Sequence, residues 1–184
     1  MEFLPTEIPE VFIMKPVIHY DERGYFVESY RQDLFNEITG HEINFIQDNE
    51  SKSTLGTLRG LHYQIPPFAQ SKLVRVIEGK VLDVCVDIRR SSPTFGQHIA
   101  IELSSDNNLQ LFVPKGFAHG FVVLSKSATF SYKVDNHYAP NHERGIAYDD
   151  KELSIDWKVP AEKINLSKKD KNNPLLLDSK ELFN

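Results

Sequence analysis

Short runs of β-branched and aromatic residues recur along almost the whole chain, separated by Gly, Pro, Asn and Ser: VFIMKPVIHY, GYFVESY, INFIQDN, KLVRVI, KVLDVCVDIR, HIAIEL, LQLFVP, GFVVLS and ATFSYKV. About nine such segments, each the length of a strand and bounded by turn residues, point to an antiparallel all-β sandwich or barrel. Helical periodicity is confined to Arg31 to Ile38, where Leu34, Phe35 and Ile38 fall on one face ahead of Gly40, predicting one short helix with a glycine stop. From about Leu166 the tail reads as one or two short helical turns. No repeat or low-complexity linker divides the chain, and 184 residues at 40% hydrophobic content fit a single domain over 1–184 with room for a concave pocket.

The segment LVRVI-EG-KVLDV predicts a hairpin, with Glu78-Gly79 as a two-residue connection and Gly79 supplying the positive φ of the turn. Beyond it, KVLDVCVDI carries apolar residues on both parities, Val81 and Cys85 on one and Leu82, Val84, Val86 and Ile88 on the other. Asp83 and Asp87 interrupt the first set. A strand covered on both faces, with carboxylates aimed into one of them, suits a barrel interior that encloses a polar pocket.

Charge and cysteine usage narrow the function classes. With 21 Lys plus Arg against 26 Asp plus Glu the net charge is −5, which argues against a surface that tracks a nucleic acid polymer. A small anionic ligand would need locally collected cations. Cys85 has no second thiol to pair with, so a disulfide or thiolate metal site within the chain is excluded. No apolar run approaches the roughly 20 residues of a membrane span, and the acidic N-terminus MEFLPTEIPE has no apolar core. A cytoplasmic protein that neither enters a membrane nor is exported is expected.

The chemistry concentrates in Arg59-Gly-Leu-His-Tyr-Gln64 and the strands after it. Gly60-x-His62-x-Gln64, then Lys72 with six residues before Gly79, then Pro114-x-Gly116-x-x-His119, together resemble the motif spacing of a cupin-type jelly roll. Metal-binding cupins place two His and a Glu in the first motif and a third His in the second. Here Gln64 stands at the second His position and Lys72 at the Glu position, with a longer gap than usual. A protonated lysine offers no lone pair, so no metal is expected between His62 and His119. Without a metal, a neutral histidine is a general base suited to neutral pH, and Lys72 can stabilise an enolate oxygen as a proton leaves the neighbouring carbon. The plainer reading of His62 is a core histidine, and Arg59 and Lys72 weigh against it because two buried cations are costly for packing alone. Strict alternation puts Arg59 and His62 on opposite faces, unless Gly60 marks a bulge.

Two later segments complete the candidate set. Tyr132 and Tyr138 lie in ATFSYKVDNHYAPNHERG, where a phenol is either a general acid opposite a histidine base, a ring to stack on a nucleobase, or a half-buried strand aromatic. Ser167-Lys-Lys-Asp170 fits a capping-box-like helix start, and Asp170 can equally orient the base histidine. The two roles are compatible.

Taken in order, DERGYF (Asp21 to Phe26), QDN (Gln47 to Asn49), RGLHYQ, KLVRVIxG, VPxGFAHGF (Val113 to Phe121), YxVDxxYxPxxExG (Tyr132 to Gly145) and SxKD resemble the dTDP-4-dehydrorhamnose 3,5-epimerase family, from about residue 10 to about residue 175. The resemblance implies an all-β, cupin-type jelly roll with a few short helices, a homodimer, no metal and no redox cofactor. It implies a dTDP-sugar substrate, dTDP-4-dehydro-6-deoxy-D-glucose, on the route to dTDP-L-rhamnose and surface polysaccharide. Carried over by motif, His62 is the base with Asp170 as its carboxylate partner, Tyr132 the proton donor on the opposite face, and Lys72 the enolate stabiliser at C4. Arg23, Glu28, Gln47, Asp48, Asn49, Arg59, His119, Glu143 and Lys169 match substrate-binding positions, and Tyr138 matches the residue that stacks on thymine. Arg23 and Glu28 come from a segment that the family shares across its dimer interface. His19, just before it, has no assigned role. Relatives that invert a single carbon, a noncatalytic sugar-nucleotide-binding cupin and a metal-dependent cupin oxygenase or isomerase are the competing readings.

Overall fold

The computed structural model describes residues 1–40 and 42–184. Along them run β1 (Glu2–Pro5), β2 (Phe12–Lys15), β3 (Ile18–Asp21), β4 (Gly24–Val27), α1 (Gln32–Thr39), β5 (Gln47–Thr54), β6 (Leu58–Gln64) and β7 (Lys72–Glu78). Then come β8 (Lys80–Asp87), β9 (His98–Ser104), β10 (Gln110–Val113), β11 (Phe117–Val123), β12 (Ser127–Val134) and β13 (Glu143–Gly145). A six-stranded sheet, β1-β2-β10-β7-β12-β5, packs on a five-stranded sheet, β13-β6-β11-β8-β9, and β3 and β4 form a separate ribbon. All of these pairings are antiparallel. The expected all-β jelly roll is the observed fold.

Three apolar layers explain the sequence pattern. Val74, Val76 and Phe130 of the larger sheet meet Val81, Cys85 and Phe121 of the smaller one between the sheets. The other parity of β8, Leu82, Val84 and Val86, packs outward against Ile146, Leu153, Trp157 and Leu176 of the C-terminal segment. That second cover is why β8 is apolar on both faces. The outside of the larger sheet is capped by α1, whose Phe35 is buried against Met14, Leu73 and Phe112. As expected, α1 stops at Gly40, which takes φ +68° and donates its N–H to the Asn36 carbonyl.

Several local readings need correction. Glu78-Gly79 is not a hairpin turn, because β7 lies in the larger sheet and β8 in the smaller. Gly79 does take a positive φ of 84°, and a Cβ there would sit 2.1 Å from the Ser127 carbonyl oxygen. The dipeptide is therefore a corner between sheets: turn chemistry specifies the backbone angle but not the sheet that the next strand joins. VFIMKPVIHY is two strands rather than one, broken where Pro16 lacks an amide hydrogen to pair. The short strands β1 and β13 carried no alternation long enough to be read. In the tail, helical character is limited to single turns at Ala161–Lys163 and Asp170–Asn172. No helix among the described residues is long and apolar enough to cross a membrane.

Candidate active site

Strand β6 carries the central histidine, and its local geometry resolves the facing problem. β11 pairs His119 with His62 and Phe121 with Arg59, so the register slips by one residue on β6 at Gly60-Leu61. Gly60 takes φ +132°, and a Cβ there would meet the Gly120 Cα at 2.5 Å and the His119 carbonyl oxygen at 2.8 Å. Only a glycine permits that approach, and the extra residue turns Arg59 and His62 toward the same space. That space is a cavity of about 600 Å³ between the two sheets.

Each wall contributes differently. From β6 come His62 and Arg59, and the Arg59 guanidinium donates to Ser53 Oγ at 3.1 Å. Lys72 enters from β7, His119 from β11, Tyr132 from β12 and Glu143 from β13. The C-terminal turn brings Lys169 and Asp170, and Tyr138 lies at the mouth. Leu58, Phe121, Phe130 and Leu166 make the apolar part of the lining, with the rings of Phe121 and Phe130 stacked 4.1 Å apart. A second cavity of about 380 Å³ shares His62, Lys72, Tyr132, Tyr138 and Glu143 with the first and adds Gln47 and Asn49.

The base candidate is fixed in orientation. Asp170, buried in the turn, accepts a hydrogen bond of 2.5 Å from His62 Nε2. Burial is the largest single influence on the Asp170 carboxyl and raises it, but the bond to His62, the His62 charge, the Ser167 bond and Lys169 together outweigh it, and the net shift is downward. An ionised carboxylate can only accept, so Nε2 carries the hydrogen and Nδ1 the lone pair. The Asp170 N–H also donates to Ser167 Oγ at 3.1 Å, so the capping contact and the histidine contact coexist. Burial pulls the Lys72 ammonium down to about 8, against the opposing pull of Asp83 and Glu143. Burial raises the Tyr132 phenol, which therefore keeps its proton at neutral pH, despite a counteracting pull from Arg59. Glu143 accepts from the Tyr138 hydroxyl at 2.6 Å and pairs with Lys169.

Three of the expected positions lie elsewhere in this chain. Asp48 points to the outer side of β5, where it pairs with Lys133 at 2.8 Å. Arg23 sits in the exposed β3–β4 turn and pairs with Asp21, and Glu28 comes directly after β4. Gln64, at the second ligand position of a metal-binding cupin, is committed to the backbone: its amide nitrogen donates to the Phe68 and His137 carbonyls and its oxygen accepts from Ala139 N–H. With Gln64 so used and Lys72 cationic, only His62 and His119 remain of the cupin ligand positions, too few to make a metal-ligand set. The site also holds a residue that motif reading left aside. Asp83 is fully buried, and His119 Nε2 lies 3.0 Å from both of its carboxylate oxygens. Its signal was the polar interruption of the Val81–Cys85 parity.

Known proteins match this chain along nearly its whole length. The dTDP-4-dehydrorhamnose 3,5-epimerase family model matches residues 5–178. The chain is 51% identical over 179 residues to the dTDP-4-dehydrorhamnose 3,5-epimerase of Shigella flexneri, covering 97% of this chain and 98% of that one. It is 51% identical to the enzyme of the same name from Pseudomonas aeruginosa, over 94% of each chain. Its fold superposes with a TM-score of 0.96 on the crystal structure of a Legionella pneumophila dTDP-6-deoxy-D-glucose-3,5-epimerase in complex with dTDP-4-keto-L-rhamnose, at 46% identity over 99% of this chain and 97% of that one. A family match over residues 5–178, about half identity over nearly the whole length and a TM-score of 0.96 leave one assignment: the chain belongs to the dTDP-4-dehydrorhamnose 3,5-epimerase family.

Proposed function

We propose that the protein converts dTDP-4-dehydro-6-deoxy-D-glucose to dTDP-4-dehydro-L-rhamnose, inverting C3 and C5 by proton removal and return through an enolate. The observation that carries this reading is His62 on one sheet, held by Asp170 of the C-terminal turn, and the Tyr132 phenol on the other sheet, lining one cavity with the Lys72 ammonium. C3 and C5 both flank the C4 ketone, so each C–H bond is acidified by the same carbonyl. Nδ1 of His62 takes the proton and Asp170 stabilises the imidazolium that results. Lys72 stabilises the negative oxygen at C4. Inversion needs a proton delivered to the other face, which is the role of Tyr132. Arg59 and Lys169 hold the diphosphate, Gln47 and Asn49 bind in the adjoining cavity, and the exposed Tyr138 ring stacks on the thymine. Incubation with the keto sugar in deuterated water is expected to place label at both C3 and C5, read by mass spectrometry. Label at one carbon alone would make the protein a single-carbon epimerase, and binding without label a noncatalytic cupin.

The assembly proposed is a homodimer. The β3–β4 ribbon pairs with no other strand among the described residues and exposes Tyr20, Tyr25 and Phe26. A two-stranded ribbon is marginal in water, and docking on a second copy would cover its aromatics and carry Arg23 and Glu28 to the partner's cavity. Mixed and refolded Arg23→Ala and His62→Asn chains should then recover activity that neither has alone, because one cavity of the hybrid is intact. Mixtures that stay as inactive as their parents would refute the shared site.

A further inference from the structure

The cavity wall is backed by a second carboxylate–histidine pair, His119 lining the cavity and the buried Asp83 behind it, and it belongs to neither the base nor the proton donor. His119 lies directly opposite His62 across the β6–β11 ladder, and its Nε2 is engaged by Asp83 of β8. Asp83 is fully buried, and among the described residues His119 is the only side chain that hydrogen-bonds to it. A buried carboxylate with so little compensation is costly unless a cation lies near. Lys72, which reaches the same cavity from the facing sheet, supplies that cation.

Resting on the function proposed above, we infer that Asp83 is a positioning residue for the reaction: its carboxylate fixes the His119 ring at the cavity wall and serves as counter-charge to the Lys72 ammonium. The titratable and charged groups around Lys72 are Arg59 and His62 from β6, Asp83 from β8, His119 from β11, Tyr132 from β12, Glu143 from β13, and Tyr138, Lys169 and Asp170 at the mouth. Two carboxylates among them oppose the effect of burial on Lys72, Asp83 more than Glu143. Glu143 is already held by Lys169 and Tyr138, whereas Asp83 has no lysine or arginine paired to it among the described residues. With Nε2 donating to Asp83, His119 keeps Nδ1 for the substrate.

The test compares Asp83→Asn and Asp83→Glu with the unaltered chain, reading deuterium exchange into the keto sugar from pH 6 to 10. Asp83→Asn is expected to move the alkaline limb of the profile down by about one pH unit and to lower kcat about tenfold with a smaller change in KM. Asp83→Glu restores the charge and should restore the limb. A parallel measurement needs no turnover: the pH dependence of Lys72 modification by an amine-reactive reagent, followed by peptide mass spectrometry, should shift in the same direction. Absence of exchange in the unaltered enzyme would defeat the proposed function while leaving this second readout to judge Asp83. If Asp83→Asn does not fold by thermal unfolding, Asp83→Ser, which leaves room for water, takes its place. An alkaline limb and a Lys72 modification profile identical to those of the unaltered chain would overturn the inference.

Discussion

Replacing His62 by Asn is expected to lower deuterium exchange at both C3 and C5 by roughly 10³- to 10⁴-fold, the largest loss of any single substitution in this site. The size comes from the geometry. Nε2 is committed to Asp170 at 2.5 Å, which orients the ring and leaves Nδ1 as the basic atom, and an asparagine amide has no comparably basic atom. Both carbons should fail together, since one base serves both. Binding of dTDP should change only a few-fold, because the groups proposed to hold the nucleotide lie elsewhere along the cavity. Calorimetric titration with dTDP alongside the exchange assay separates the two effects. Exchange at the unaltered rate in His62→Asn would rule out His62 as the base and assign proton removal to another group.

The second large effect is expected of Lys72→Met, which keeps the unbranched stem short of its terminal nitrogen and removes the charge. The enolate oxygen then forms without its cation in a partly enclosed cavity, and a loss of roughly 10²- to 10³-fold in kcat is expected. The pH profile provides the sharper signature. Burial draws the Lys72 ammonium down to about 8, and it is the protonated form that stabilises the oxyanion. Activity that depends on Lys72 is therefore present below about 8 and lost as pH rises through it. In Lys72→Met that alkaline limb should disappear, leaving a low and flatter profile. A steep alkaline limb near pH 8 that persists in Lys72→Met would assign it to another group.

How much of this site could be read in the chain depended on which interactions were local. His62, Arg59, Lys72 and Tyr132 were legible because a strand of alternating residues declares its own faces, and a glycine inside it marks where that rule breaks. Gly60 was the informative residue: the register slip against β11 brings Arg59 and His62 into one cavity. The capping pattern at Ser167 likewise fixed the turn that holds Asp170, although its separation of 108 positions from His62 hides their meeting from any local pattern. The Glu78-Gly79 reading failed for the complementary reason. Its residues specify a positive φ, and nothing within the dipeptide says whether the next strand returns beside β7 or crosses to the opposite sheet.

The sequence alone determined the strand-rich architecture, the single short helix with its glycine end, and the motif set that marks the family. Each of these is written in periodicity or in residues close together along the chain. Only the tertiary structure decided that Asp83 meets His119, that Asp48 faces away from the cavity, and that Gln64 is used up by backbone groups of the 64–70 and 137–139 segments. Those outcomes depend on which strands become neighbours and on the competition of distant polar groups for the same partners, and both are settled by burying the whole core rather than by any one stretch of residues.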